Sequence, residues 1–146
     1  MTTIRLMTSA DLRAVSLLDK LSFNQPWPPN AFEIELKNPG ARCWVAEADH
    51  QVVGALVFWR VLDEAELATL AIHPDFRRRG IARVLLQTAM EAAYAEGARL
   101  YQLEVRAGNL AAQKLYESFG FSAVGRRLRY YKDNGEDAVL MTKASE

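Results

Sequence analysis

Residues 67–86, LATLAIHPDFRRRGIARVLL, constrain this chain more than any other stretch. Leu67–Ile72 is an apolar run of strand length with no charge, which fits a strand buried on both faces. His73-Pro74 ends it, because proline lacks an N–H and fixes its own backbone. Three arginines (Arg77, Arg78, Arg79) and Gly80 follow, and helical spacing resumes at Ile81-Ala82-Arg83. Strand, basic loop and helix in that order call for a crossover onto a sheet. They also put positive charge beside helix N–H groups that have no internal partner, and the helix dipole favours an anion there. Gly80 lets backbone approach a ligand that a Cβ would push away. A pyrophosphate suits such a loop; a basic surface loop that merely starts a helix is the alternative.

The rest of the chain supplies the sheet and its cover. Thr3–Leu6 reads as a strand. Thr8-Ser9-Ala10-Asp11 offers helix-capping side chains, followed by Leu12, Val15, Leu18 and Leu21 at helical spacing. The proline-rich run Phe23–Pro29, centred on Trp27, cannot be regular structure. A short helix carrying Phe32, Ile34 and Leu36 should end before Asn38-Pro39-Gly40. Cys43–Ala48 and Val52–Leu62 read as a hairpin around Asp49-His50-Gln51, and Asp63-Glu64-Ala65 turns the chain into Glu66–Ile72. The helix from Gly80 presents Ile81, Leu85, Ala89 and Ala92, flanked by Val84 and Leu86, and Gly97 suits its C-terminal cap. Leu100–Arg106 is a strand, Asn109–Phe119 a helix, and Phe121–Leu128 and Asp137–Thr142 are two strands around Asp133-Asn134-Gly135. The order β-α-α-β-β-β-α-β-α-β-β predicts an α/β chain with a mixed sheet, and 146 residues predict one domain, 1–146.

Composition narrows the partners. Lys plus Arg and Asp plus Glu are 18 each, so no overall field favours nucleic acid or a membrane surface, and the local basic cluster favours a small anion. One cysteine, Cys43, excludes an internal disulfide and fits a reducing cytoplasm; set beside Trp44 and Val45, it reads as a buried structural thiol. MTTIRLMTSADL has neither the apolar core nor the cleavage pattern of a signal peptide, and no apolar run approaches a membrane span. His50 and His73 stand alone in turns without ligands at metal-binding spacing. Oligomeric state is not legible.

Two residues carry candidate chemistry. Along Leu100–Arg106, Tyr101, Leu103 and Val105 alternate with Gln102, Glu104 and Arg106, so Glu104 faces away from the apolar side in mid-strand. A carboxylate there must be solvated, paired or functional, and an ion pair with a nearby arginine is the plain alternative to a catalytic role. Tyr116 lies on the sheet-facing side of its helix, where a core tyrosine is the plain reading.

Arg77-Arg78-Arg79-Gly80-Ile81-Ala82 fits the pattern Q/R-x-x-G-x-G/A and resembles the acetyl-CoA-binding motif of the GNAT N-acetyltransferase superfamily. It is neither a dinucleotide G-x-G-x-x-G nor a Walker loop. Glu104–Asn109 (EVRAGN), Leu115–Ser118 (LYES), Gly120-Phe121 and the tail Arg126-Arg127 with Tyr130-Tyr131 resemble the RimI-type branch, which acetylates the N-terminal alanine of a small-subunit ribosomal protein. Ala82 stands where glycine is commoner, Lys132 where proline is common, and residues 22–40 match only through Pro-Trp-Pro.

The resemblance implies the GNAT fold, with the central strands splayed around the cofactor. It implies acetyl-CoA held by backbone of Leu70, Ala71 and Ile72 along the pantetheine arm. Arg77, Arg78, Arg79, Gly80, Ile81, Ala82 and Arg83 would hold the pyrophosphate, with Asn109 and Tyr116 also on the cofactor. It makes Glu104 the general base and Tyr116 the general acid, and lets Trp27 and Tyr131 line the acceptor site. No metal enters. An α-amine of pKa near 8 needs about 1 kcal/mol to lose its proton at neutral pH and a lysine about 4–5 kcal/mol, so one carboxylate suits an N-terminus. A GNAT enzyme for a small amine, and a non-catalytic acyl-CoA-binding module, are the alternatives.

Overall fold

The computed structural model describes residues 2–145. Its strands are β1 (Thr2–Leu6), β2 (Ala41–Ala48), β3 (Gln51–Val61), β4 (Glu64–Ile72), β5 (Leu100–Arg106), β6 (Ser122–Tyr131) and β7 (Glu136–Ala144). Its helices are α1 (Leu12–Ser22), α2 (Ala31–Lys37), α3 (Ile81–Ala95) and α4 (Leu110–Ser118), and single 3-10 turns cover Ser9–Asp11 and Pro74–Phe76. The element order is the one expected, and the sheet is mixed. β3 and β4 meet in a tighter turn than expected: Glu64 and Ala65 are already strand, and Leu62 takes the positive φ of 56° that a short turn requires. The β2–β3 hairpin likewise turns on Asp49 and His50 alone, both at positive φ.

The seven strands run β1-β2-β3-β4-β5-β7-β6, antiparallel except for β4 with β5. The last strand is inserted between β5 and β6. Alternation along the strands divides the core between two faces. On one face α1 and α2 bury Val15, Leu18 and Phe32 against Cys43, Val45, Ala55, Val57 and Ala71. On the other, α3 and α4 cover Leu56, Phe58, Leu67, Tyr101, Leu103 and Val105. Leu85 and Leu86 of α3 are fully buried, each contributing about 1.5–3 kcal/mol of hydrophobic stabilisation.

The stripe of α3 is rotated from the expected one. Ile81, Leu85, Ala89 and Ala93 form its spine with Leu86 and Met90 beside it, whereas Val84 is exposed and Ala92 half-buried. Leu21 and Ile34 also point outward, because α1 and α2 are each covered along one narrow face only. Cys43 is buried, and burial pushes its thiol up to about 11, which keeps it protonated and inert.

Candidate active site

The basic loop is shaped as an open cradle. Gly80 caps α3 with φ 79°, a left-handed conformation that glycine adopts freely, and Arg78 precedes it at φ 64°. A Cβ at Gly80 would meet no protein atom within 4 Å, so the space before it is open. The first helical bond of α3 is Val84 N–H to the Gly80 carbonyl. The N–H groups of Ile81, Ala82 and Arg83 therefore point outward unpaired, as the geometry of a helix start dictates. Arg79 lies over Phe76 at 4.8 Å and Arg83 over Phe119 at 5.5 Å, so both guanidinium groups are braced by aromatic rings. Arg77 behaves differently: its Nε donates to the Ile72 carbonyl at 3.1 Å and ties the loop to the end of β4.

Leading into that loop, the sheet parts. Among the described residues β4 and β5 pair only at Glu64–Leu100, Ala65–Tyr101 and Glu66–Gln102. Beyond Glu66 the β5-facing edge of β4, through Leu70, Ala71 and Ile72, has no strand beside it, while the other edge stays paired to β3. The parting begins at a bulge. Val57 pairs with Thr69 and Phe58 with Leu67, so Ala68 is an extra residue in β4 that bends the strand away. An open strand edge ending at a helix N-terminus can bind an extended amide-bearing chain and then a diphosphate.

Glu104 sits just past this seam on the α1–α2 face, two residues beyond Gln102. Its Oε2 is buried and accepts no hydrogen bond, and the Nε of Arg127 lies 3.0 Å away, paired by charge but off the hydrogen-bonding line. Glu66 stands across the seam, where burial first and Glu104 second push its carboxyl upward while Arg127 partly offsets both. The neighbouring rung is closed by Gln102 Nε2 donating to Glu64 at 3.1 Å.

Tyr116 lies on the opposite side of the sheet. It is 7% exposed, edge-on to Phe121 at 6.0 Å, and burial, with a smaller push from Tyr131, raises its phenol to about 12. Tyr131 is half-buried under the Arg106 guanidinium, which is 3.9 Å from its ring centre. Burial raises Tyr131 as well, and both Arg106 and Glu104 act on it. Arg106 in turn binds Asp133 and Glu136, and Glu136 accepts from Gly108 N–H, so the β6–β7 turn is fastened to the end of β5.

A family model described as the acetyltransferase (GNAT) family matches residues 12–121. The chain belongs to the GNAT acetyltransferase family. Within it the chain is 38% identical to a Bacillus subtilis protein named a putative [ribosomal protein bS18]-alanine N-acetyltransferase, over 94% of this chain and 92% of that one. It is 38% identical to the Mycobacterium tuberculosis N-alpha-acetyltransferase RimI, over 98% of this chain and 92% of that one. The crystal structure of the Escherichia coli ribosomal-protein-S18-alanine N-acetyltransferase superimposes with a TM-score of 0.93 at 32% identity, covering 100% and 96% of the two chains.

A GNAT acetyltransferase uses acetyl-CoA, and the residues here fit it. The unpaired N–H groups and braced arginines suit the pyrophosphate, and the open edge of β4 suits the amides of the pantetheine arm. Asn109 is partly committed elsewhere: its Oδ1 caps α4 by accepting from Ala112 N–H at 3.2 Å, which leaves its amide NH2 as the donor it can offer. Trp27 is half-buried, stacked against Trp59 at 6.2 Å and beside Phe32 at 4.8 Å, and walls the α1–α2 face. Among the described residues no group of three or more His, Cys, Asp or Glu could hold a metal ion, and no helix is long and apolar enough to cross a membrane.

Three residues that brace the candidate site were not among those expected from the sequence. Asp19 is 3% exposed on α1 and accepts Trp27 N–H at 2.7 Å, fixing the proline-rich loop. Its place one turn after Val15, on the buried stripe, was a readable signal. Trp59, whose Nε1 donates to Glu35, and Arg127, the partner of Glu104, gave none, because both come to the site only through strand register.

Proposed function

We propose that this enzyme transfers the acetyl group of acetyl-CoA to the α-amine of a protein N-terminus, with the alanine terminus of ribosomal protein bS18 the leading acceptor. One observation carries the reading. β4 and β5 part beyond the Glu66–Gln102 rung, with Glu104 on one face of the gap and Tyr116 on the other. An acyl group held in that gap is open to an amine from the α1–α2 side, while its leaving sulfur lies towards α3 and α4. The relatives named above support the acceptor.

Glu104 then takes a proton from the incoming ammonium, and the neutral amine attacks the thioester carbon directly. Backbone N–H groups on the open edge of β4, near Leu70 and the bulge, stabilise the negative charge that develops on the carbonyl oxygen. Tyr116, protonated at neutral pH, donates a hydrogen bond from its O–H to the sulfur as the C–S bond breaks. The carrier so leaves as a thiolate, and the surplus proton of the acylated nitrogen passes to that thiolate or to solvent. Arg78, Arg79, Arg83 and the N–H groups of residues 80–83 hold the pyrophosphate, with Arg77 shaping the loop. Trp27 and Tyr131 border the acceptor path. The chain acts as one domain, 1–146, in the cytoplasm, in keeping with its buried, unpaired Cys43.

The test is thiol release from acetyl-CoA with a peptide copying the bS18 N-terminus and with its Nα-blocked form. Turnover of the free peptide alone is the expected result. Turnover of small amines in preference to the peptide overturns the acceptor assignment, and no turnover with any amine overturns the enzymatic reading.

A further inference from the structure

Glu104 is paired with a cation on the face from which the proposed mechanism brings the amine. Glu104 Oε2 is buried and lacks a hydrogen-bond donor, and the single cation paired with it among the described residues is Arg127, at 3.0 Å. That pair is loosely made. The Arg127 side chain is 58% exposed, and its guanidinium lies within 5.9 Å of the exposed Tyr130 ring. Arg127 also stands where the β6–β7 register breaks, between Arg127 and Tyr131, on an edge strand exposed along most of its length, with Arg129 at φ 52°. The other cation of the site, Arg106, is held by Asp133 and Glu136 and has no such freedom. Across the seam, Glu66 adds a second carboxylate to the same face, so that Glu66 and Glu104 together outnumber Arg127.

We propose that Arg127 is a displaceable counter-ion for Glu104: its guanidinium neutralises the carboxylate in the free enzyme and yields its place to the substrate's α-ammonium. The exchange swaps one cation for another on the same oxygen, so the carboxylate is never left uncompensated. Glu66 favours the ammonium by keeping the face net negative after the exchange. An acceptor without a positive charge, such as a blocked N-terminus, cannot make the swap and leaves Arg127 in place. Arg127 is thus a positioning and specificity residue. The inference rests on the reading of Glu104 as the group that meets the amine.

Binding of a short alanine-initiated peptide to the CoA-saturated enzyme, beside its Nα-acetylated form, tests this without turnover. In Arg127→Gln the free-amine peptide should bind about two- to fivefold tighter, the range set by an exposed ion pair no longer competing, while the blocked peptide binds as before. A purely structural role shifts both peptides together, and equal or weaker binding of the free amine overturns the proposal. In the unaltered enzyme, the nitrogen resonance of Arg127 Nε should move on adding the free-amine peptide and stay put with the blocked one; a resonance that ignores both overturns it. Glu104→Gln separates the two readings. If that variant keeps full turnover the base assignment falls, whereas the displacement is judged on the binding and resonance data alone.

Discussion

Replacing Tyr116 with phenylalanine separates its two roles by their magnitudes. Phenylalanine keeps the ring that packs edge-on to Phe121, and the position is 7% exposed, so the apolar burial survives. Losing one hydroxyl costs up to about 1 kcal/mol of stability, or about 2–4 °C in a chain of this size. The effect on turnover follows from the phenol's acidity. Burial holds it near 12, so it is protonated at every working pH. An alkyl thiol lies near 8.5, and outright proton transfer to its thiolate would be uphill by about 5 kcal/mol. In the proposed mechanism the tyrosine therefore acts mainly as a hydrogen-bond donor to the sulfur as charge develops. Such a bond to a charged acceptor is worth about 1.5–3 kcal/mol, and its removal should lower kcat by about 10- to 150-fold. Initial rates of thiol release at saturating substrates, beside thermal melts of both proteins, measure the two effects. Unchanged kcat with a lowered Tm refutes the reasoning and leaves a core tyrosine.

Glu104→Gln should lower turnover by about 10²- to 10⁴-fold, the usual worth of a general base, while acetyl-CoA affinity by calorimetry stays within error. Gly80→Ala forces a side chain into φ 79° at a cost of about 1 kcal/mol, with no clash inside the protein; its larger effect should be weaker acetyl-CoA binding, seen in titration. Asp11 binds the Arg5 guanidinium at 2.8 and 2.9 Å and caps its own helical turn through Thr8 N–H, and the arginine first of all holds its carboxyl below the usual range. Its stabilisation is therefore full above about pH 4 and lost as pH falls through the lower folded value. Asp11→Ala should cost about 1–2 kcal/mol in urea melts at pH 7, with Arg5 partly exposed, and the gap to the parent should close towards pH 2.

Local chemistry is where the sequence spoke clearly. The Arg-rich loop, the glycine before α3 and the alternation around Glu104 are written in adjacent residues, and each sits in the structure as its spacing implies. Strand ends differ from the expected ones where turns use unusual residues. Leu62 at positive φ is not a turn signal, so β4 begins earlier than Glu66. What stayed hidden is long-range register. Insertion of β7 between β5 and β6 brings Arg127 to Glu104 and Tyr131 towards Tyr116, and no periodicity encodes which strand edge a hairpin chooses. The bulge at Ala68 is equally silent, because no glycine or other local signal in Leu67-Ala68-Thr69 marks it.

The short β4–β5 seam has a mechanical consequence. Among the described residues, three residue pairs are all that laces β1–β4 to the β5–β7–β6 block by strand pairing, with Arg99 and Leu100 N–H groups adding bonds to the Asp63 carbonyl. The molecule thus has a fracture line, and on the proposed reading the donor bonds along the torn edge like a missing lace. Donor binding would then also be a suture that stiffens the two halves against each other. Release of the spent carrier reopens the tear, so the slowest amide-exchange protection gained on binding should follow the lips of the gap rather than the helices.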